Sequence, residues 1–393
     1  MSRAHALAAA AAAFDDGRFE RELARLVAIP SSSQDPDTGP ALRAYLDDGL
    51  APALRALGVD ELTVHPHPDG RHGPFLIARH VEDPARPTVL TYAHGDVVRG
   101  HEGRWTHGEG PWTLAAEGER LYGRGTADNK GQHAINLAAL AAVREARGGR
   151  LGFNVTWLVE TGEEVGSPGL AEVAAAHRDA LAADVFIASD GPRLRADLPT
   201  VFLGSRGVVN FTLALDLRDG AHHSGNWGGL LRNPGTVLAA AIASMVDARG
   251  RILVDALRPP PIPPAVRAAL QGLDPGGGPG DPAVDDGWGE PGLTPAERVF
   301  AWNALEVLAF TTGNPAQPVN AIPPTAQAAM HLRFVVGTDI SNLQGVLRAH
   351  LDAHGFPMVQ VAVGESMAAT RLDPEDRWVR FAVDSIARSA GRA

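Results

Sequence analysis

The sequence predicts an α/β fold: a mostly parallel sheet with helices on both faces, joined to a smaller α+β domain. Three observations carry this. Short β-rich apolar runs alternate with helix-period segments as far as residue 190. Three of those runs, 88–93, 151–159 and 184–188, break off at His94, at Glu163–Glu164 and at Asp190. Ligands in open α/β sheets sit beyond the carboxyl ends of the strands, so one pocket could collect all these groups. Past Asp190 the composition changes to a half-exposed strand, a stretch dense in proline and glycine, and a second set of strands and helices.

In order, 4–29 reads as a helix with Phe19, Leu23, Leu26 and Val27 on one face, ended by Pro30-Ser31-Ser32-Ser33. A second helix spans 39–57, and 62–64, 75–78 and 88–93 read as strands. A loop rich in glycine and tryptophan leads to a packed helix over 129–146. The strand 151–159, the helix 169–181 and the strand 184–188 complete this part. Beyond it come strands over 208–217, 326–336 and 358–363, a helix over 341–354, an irregular excursion over 258–295, and a last helix over 374–393.

Composition narrows the function classes. The 393 residues are enough for two or three domains, and 45% apolar with 21% charged residues is ordinary for a globular enzyme. A formal charge of −11 argues against a general nucleic-acid binder. The chain contains no cysteine, which removes disulfides, thiolate metal sites and cysteine nucleophiles and fits a cytoplasmic location. No apolar run approaches the roughly 18 residues that span a bilayer. The alanine-rich N-terminus, followed at once by Asp15–Asp16, reads as helix rather than secretion signal.

His94, Asp128, Glu164 and Asp190 are nitrogen and oxygen ligands suited to Zn²⁺ or, less tightly, Mn²⁺. A carboxylate such as Asp128 can bridge two such ions and hold a shared hydroxide. In the Glu163–Glu164 pair only one side chain need reach a metal, which leaves the other to move a proton. Asp96, two residues past His94, can orient that imidazole. Rival motifs fail. Gly123-Arg-Gly125-Thr-Ala-Asp128 has an aspartate where a dinucleotide fingerprint needs its third glycine. Neither a Gly-x-x-x-x-Gly-Lys loop nor a Gly-x-Ser-x-Gly elbow is present.

The motifs His94-Gly-Asp96-Val-Val, Gly123-Arg-Gly-Thr-Ala-Asp128-Asn-Lys-Gly131, Glu163-Glu164-Val-Gly-Ser167 and Ser189-Asp190 resemble, in order, those of the dinuclear zinc hydrolases. That family includes aminoacylases, carboxypeptidases, desuccinylases and carnosinase-like dipeptidases, and the dipeptidase branch matches best. The resemblance implies two divalent ions, Zn²⁺ first, with Mn²⁺ or Co²⁺ as alternatives. His94 and Asp190 would hold one ion, Asp128 would bridge and Glu164 would hold the second. Glu163 would be the general base for a metal-bridging water, and Asp96 would steer His94.

Arg218-Asp-Gly-Ala-His222-His223-Ser-Gly225 resembles the small domain of the dipeptidase branch. There a histidine, here His223 or its neighbour His222, reaches the partner subunit's site and steadies the oxyanion. Asn320 and Arg333 match positions that hold the substrate, Arg333 being suited to a carboxylate. The implied organisation is a catalytic domain (1–204), an inserted lid and dimerisation domain (205–366), and a return to the catalytic domain (367–393). The implied reaction is hydrolysis of a peptide or N-acyl amide bond beside a free carboxylate, by a homodimer formed through the lid.

The family also places a last histidine ligand near its C-terminus, after a glycine-rich segment and a strand. Neither feature is present here, and His331, His350 and His354 lie outside any matching motif. The sequence therefore reads as ending early. The alternative is a non-catalytic or single-metal protein that binds and dimerises.

Overall fold

The computed structural model describes residues 3–391 except 192, 196, 277, 279 and 280. Two compact units emerge, one up to residue 192 and the other from 193.

The first unit opens with α1 (Arg3–Asp15) and α2 (Arg18–Val27). The continuous helix expected over 4–29 is broken at Gly17, whose φ of 76° takes the chain out of the helical region. Helix α3 (Gly39–Ala44), a π-helical segment at Tyr45–Leu50 and α4 (Ala51–Ala56) then run on without a gap. Strands β1 (Glu61–His65), β2 (Phe75–His80) and β3 (Thr88–His94) follow. A two-stranded hairpin, β4 (Ala115–Glu117) and β5 (Arg120–Tyr122), sits inside the expected loop. Helix α5 (Lys130–Ala146), β6 (Asn154–Glu160), α6 (Leu170–Ala176) and β7 (Val185–Ala188) complete the unit.

The five-stranded sheet has the order β1-β2-β6-β3-β7. The pairs β1–β2 and β2–β6 are antiparallel, whereas β3 is parallel to both β6 and β7. The strands that deliver the candidate site are therefore the parallel ones, and they end on the same side. Successive side chains of a strand point to opposite faces, and β2 uses both. Leu76 and Ala78 join a core with Tyr45, Leu54, Ala134 and Leu137, while Phe75 and Ile77 join Leu158 and Val173 on the other face. Helices thus cover both faces, as the sequence predicts.

The second unit holds β8 (Gly207–Asp216), β9 (His222–His223), α7 (Ser224–Trp227), α8 (Pro234–Met245), α9 (Pro264–Ala269), α10 (Pro295–Phe300), β10 (Ala304–Thr311), β11 (Ala321–Ile322), β12 (Thr325–Phe334), α11 (Leu343–Ala353), β13 (Gln360–Met367) and α12 (Arg377–Ala390). Its four-stranded sheet, β10-β12-β8-β13, is antiparallel throughout. Alternate residues of β8 (Val209, Phe211, Leu213, Leu215) and β12 (Ala328, Met330, Leu332) face Leu238 and Met245 of α8 and Leu347 and Leu351 of α11. Each fully buried leucine of this set contributes about 2 kcal/mol. One face covered by helices and one left open is the usual arrangement for an antiparallel sheet.

Candidate metal centre

The site lies in the first unit, at the ends of β6, β3 and β7. The last residue of β3, His94, is 1% exposed. Its Nδ1 lies 2.9 Å from the main-chain oxygen of Asp96 and 3.4 Å from that residue's Oδ1. Only an Nδ1–H can make that contact, so Nε2 is the nitrogen turned outward. There Nε2 meets Asp128 Oδ1 at 2.8 Å and Asp190 Oδ2 at 3.7 Å.

Asp128 stands just ahead of α5, and the Asp128–Asn129 peptide is cis. The Asn129 side chain donates to the carbonyl of Ser189 at 3.0 Å, tying this turn to the end of β7 and so to Asp190. Lys130, wholly buried, donates to the Ile29 carbonyl at 2.5 Å and lies between the rings of Tyr45 and Trp112. His133, one turn on, donates from Nε2 to the main-chain oxygen of His94 at 3.0 Å. The start of α5 is thus pinned from three directions, and Asp128 goes with it.

Glu163 and Glu164 form the short 3₁₀ turn after β6. Both backbone amides donate to Asp96, Glu163 to Oδ1 and Glu164 to Oδ2, each at 3.1 Å. Asp96 therefore supports the site twice: its carbonyl orients His94, and its buried carboxylate positions the glutamate pair. The first role was expected; the second was not.

Ring nitrogen and carboxylate oxygens cluster in two sets, one from His94, Asp128 and Asp190 and one from His94, Glu163 and Glu164, each set within 4.8 Å. All five predicted ligand and base residues converge with Asp96 at the carboxyl end of the sheet. A lone pair facing two carboxylates is repulsive unless a cation lies between them. Without one a proton takes that place: burial alone would lower the His94 pKa, but Asp128 and Asp96 overcome it and push it up to about 11. Burial, with neighbouring acidic groups, holds Glu163 and Glu164 above the usual carboxylate range. A donor set of one imidazole and several carboxylates, oriented through Nδ1–H, fits Zn²⁺ or Mn²⁺.

Sequence reading missed Glu160. It is fully buried, accepts from Tyr92 Oη at 2.5 Å and Ser167 Oγ at 2.8 Å, and pairs with His94 across the β3–β6 ladder. Burial raises its pKa. The available signal was its place as the last residue of a strand whose every residue is buried.

The remaining predicted residues lie in the second unit. His223 ends β9 and is exposed, with its Nδ1 accepting from the Gly225 amide at 3.1 Å. Asn320 is also exposed, and its carbonyl accepts from the amide and hydroxyl of Ser224, which brings it beside His223. Partly buried His222 stacks edge-on against Trp227. Arg333 is exposed near the end of β12, opposite Val208 and Ala304, and its charge, after burial, depresses the pKa of Arg206.

A mixed α/β sheet with nitrogen and oxygen donors gathered at its strand ends is the arrangement of proteins that can hold divalent cations there. The chain belongs to the peptidase family M20/M25/M40, whose family model matches residues 90–392. It is 35% identical over 250 residues to the mouse (Mus musculus) Beta-Ala-His dipeptidase, covering 60% of this chain and 50% of that protein. It is 32% identical over 287 residues to the Cysteinylglycine-S-conjugate dipeptidase of Corynebacterium striatum, covering 71% of this chain and 60% of that one. The chain thus spans about half the length of the curated relatives it matches. In fold it is similar to an M20 family metallo-carboxypeptidase from Sulfolobus solfataricus, with a TM-score of 0.75, 23% identity, and 95% and 84% of the two chains covered.

Proposed function

We propose that this protein is a metal-dependent hydrolase that cleaves a peptide or N-acyl amide bond beside a free carboxylate, with small dipeptides as the first substrates to try. The convergence of His94 Nε2, Asp128 Oδ1 and Asp190 Oδ2 carries this reading. Family membership and the dipeptidase names of two relatives support it.

His94 and Asp190 would hold one ion and Glu164 the other, with Asp128 shared between them. When bound, such ions supply Lewis acidity and make water acidic near neutral pH. The chain's own residues do the rest. Asp96 keeps the proton on His94 Nδ1 and freezes the Glu163–Glu164 turn. The Glu163 carboxylate, its proton affinity raised chiefly by burial, takes a proton from water as the water oxygen adds to the carbonyl carbon, and returns it to the amine as the C–N bond breaks. His223 steadies the oxyanion from the partner subunit of a homodimer. Asn320 and Arg333 hold the substrate, Arg333 through its terminal carboxylate.

We take Zn²⁺ as the preferred metal, residues 1–204 and 367–393 as the catalytic domain, and 205–366 as its lid. No helix among the described residues is long and apolar enough to cross a membrane, and we place the protein in the cytoplasm. The test is Glu163→Gln assayed on dipeptides with Zn²⁺, Mn²⁺ or Co²⁺ added. It should keep its metal and lose turnover by about a thousandfold or more. Turnover equal to the parent's would refute the role of Glu163.

A further inference from the structure

A second group of ligand-type side chains stands apart from the strand-end cluster, on the connection between β1 and β2. His67, Asp69 and His72 bring a ring nitrogen, a carboxylate oxygen and a ring nitrogen within 4.8 Å of one another. The segment reads His65-Pro66-His67-Pro68-Asp69-Gly70-Arg71-His72, and the two prolines limit the conformations of the histidines before them. The His67 ring is nearly buried and stacks on Phe75, so its orientation is fixed by packing.

The two ring nitrogens of His67 have different partners. His67 Nε2 lies 2.6 Å from the carbonyl oxygen of Pro168, and only an Nε2–H can make that contact. Its Nδ1 then accepts the backbone N–H of Asp69 at 3.1 Å and lies 2.6 Å from that residue's Oδ1. The other Asp69 oxygen is 2.9 Å from Nδ1 of His72. Backbone amides of Arg71 and His72 also donate to Asp69, so it remains a carboxylate. An imidazole nitrogen this close to a carboxylate oxygen needs a positive centre between them, which a proton supplies in the ion-free chain and a cation can replace. A histidine that gives its far N–H to a carbonyl while its near nitrogen faces a carboxylate and a second imidazole has the arrangement of a metal ligand with its supporting partner. Gly169 is part of this seat, since a Cβ there would lie 2.5 Å from His67 Nε2.

We propose that His67, Asp69 and His72 form a second cation site, for a borderline transition metal such as Zn²⁺, Ni²⁺ or Cu²⁺. Two imidazoles and one carboxylate suit those ions better than Mg²⁺ or Ca²⁺. Three protein ligands leave a coordination position open to water, as expected where Asp69 and His72 are exposed. The ion would tie the β1–β2 connection through His67 to Pro168, four residues past Glu164. The site does not depend on the reaction proposed for the strand-end cluster.

The test counts ions. The untagged chain, stripped with a chelator, is dialysed against micromolar free Zn²⁺ and compared with His72→Gln, with His107→Gln as a control at another exposed histidine. His72 is exposed, so its replacement leaves the fold intact, as far-ultraviolet circular dichroism checks. We expect His72→Gln to hold one ion fewer than both the parent and the control. With Cu²⁺ in place of Zn²⁺, the ion lost should carry the electron paramagnetic signature of two imidazole nitrogens. His67→Gln should lose the same ion. Equal counts for parent and His72→Gln overturn the proposal, whether or not the strand-end centre fills, because both chains share that centre.

Discussion

The buried carboxylate of Asp96 accepts the backbone N–H of Glu163 at 3.1 Å, and its second oxygen accepts that of Glu164 at the same distance. A turn that offers two glutamates to a metal pocket is therefore fastened from beneath by an aspartate whose own carbonyl orients His94. Strand end, imidazole and glutamate pair form one mechanical unit.

Asp96→Ala should break that unit. It removes an acceptor shared by two amides and leaves both N–H groups without a partner. Charge-assisted buried bonds of this kind cost about 3 kcal/mol to lose. Urea melts of the metal-free chain should record that drop, and Zn²⁺ affinity should fall by about ten- to a hundredfold. A variant as stable and as avid as the parent would show that Asp96 supports nothing.

Glu160 should respond in the opposite sense to two replacements. Its Oε1 takes both hydroxyl donors, while its buried Oε2 finds no partner among the described residues. Glu160→Gln keeps the acceptor and removes a charge that burial penalises, so the metal-free chain should gain about 1 kcal/mol at neutral pH. Glu160→Leu strands the Tyr92 and Ser167 hydroxyls and should cost about 2 kcal/mol. The ranking Gln above parent above Leu in thermal melts is the check.

Metal binding should strengthen with pH. The folded His94 pKa, pushed up to about 11 from 6.5, gives the metal-free chain stability that is complete below about pH 6.5 and lost as pH rises toward 11. A cation at Nε2 must displace that proton. Each proton displaced should raise apparent Zn²⁺ affinity about tenfold per pH unit between about pH 6 and pH 8. Titration calorimetry in buffers of different ionisation enthalpy would count the protons. An affinity that does not change with pH would contradict the geometry around His94.

Gly131→Ala should disturb the aspartate turn without touching any ligand. A Cβ at that position would sit 2.0 Å from the Thr126 carbonyl oxygen, which is backbone and has little room to move. We expect a loss of about 3 kcal/mol in stability and weaker metal binding through Asp128. A melting temperature equal to the parent's would mean the turn is looser than described.

Much of this was legible in the sequence because the candidate ligands are local events. His94, Asp128, Glu164 and Asp190 each follow an apolar strand or open a helix, and those boundaries are what periodicity reports best. The long-range relationships were not legible. Nothing in the spacing of Asp96 and Glu163 reveals a bond across 67 residues. Glu160 was not singled out, because its burial depends on neighbours on both sides of β6.

Local signals also misled where tertiary packing decided. The alanine-rich N-terminus hid the break at Gly17. Strand β10 has no clean alternation, since a register shift between Val307 and Ala309 interrupts its pairing with β12, and it went unread. The helix expected over 169–181 is shorter, ending at Ala176.

His94, Asp128, Asp190 and the Glu163–Glu164 pair are proposed to hold divalent cations together. Crystals grown with Zn²⁺ and measured on both sides of the zinc absorption edge test it most directly. Anomalous peaks are expected within bonding distance of His94 Nε2, the Asp128 carboxylate and Asp190. Zinc bound elsewhere, with these side chains paired only to one another, would contradict it.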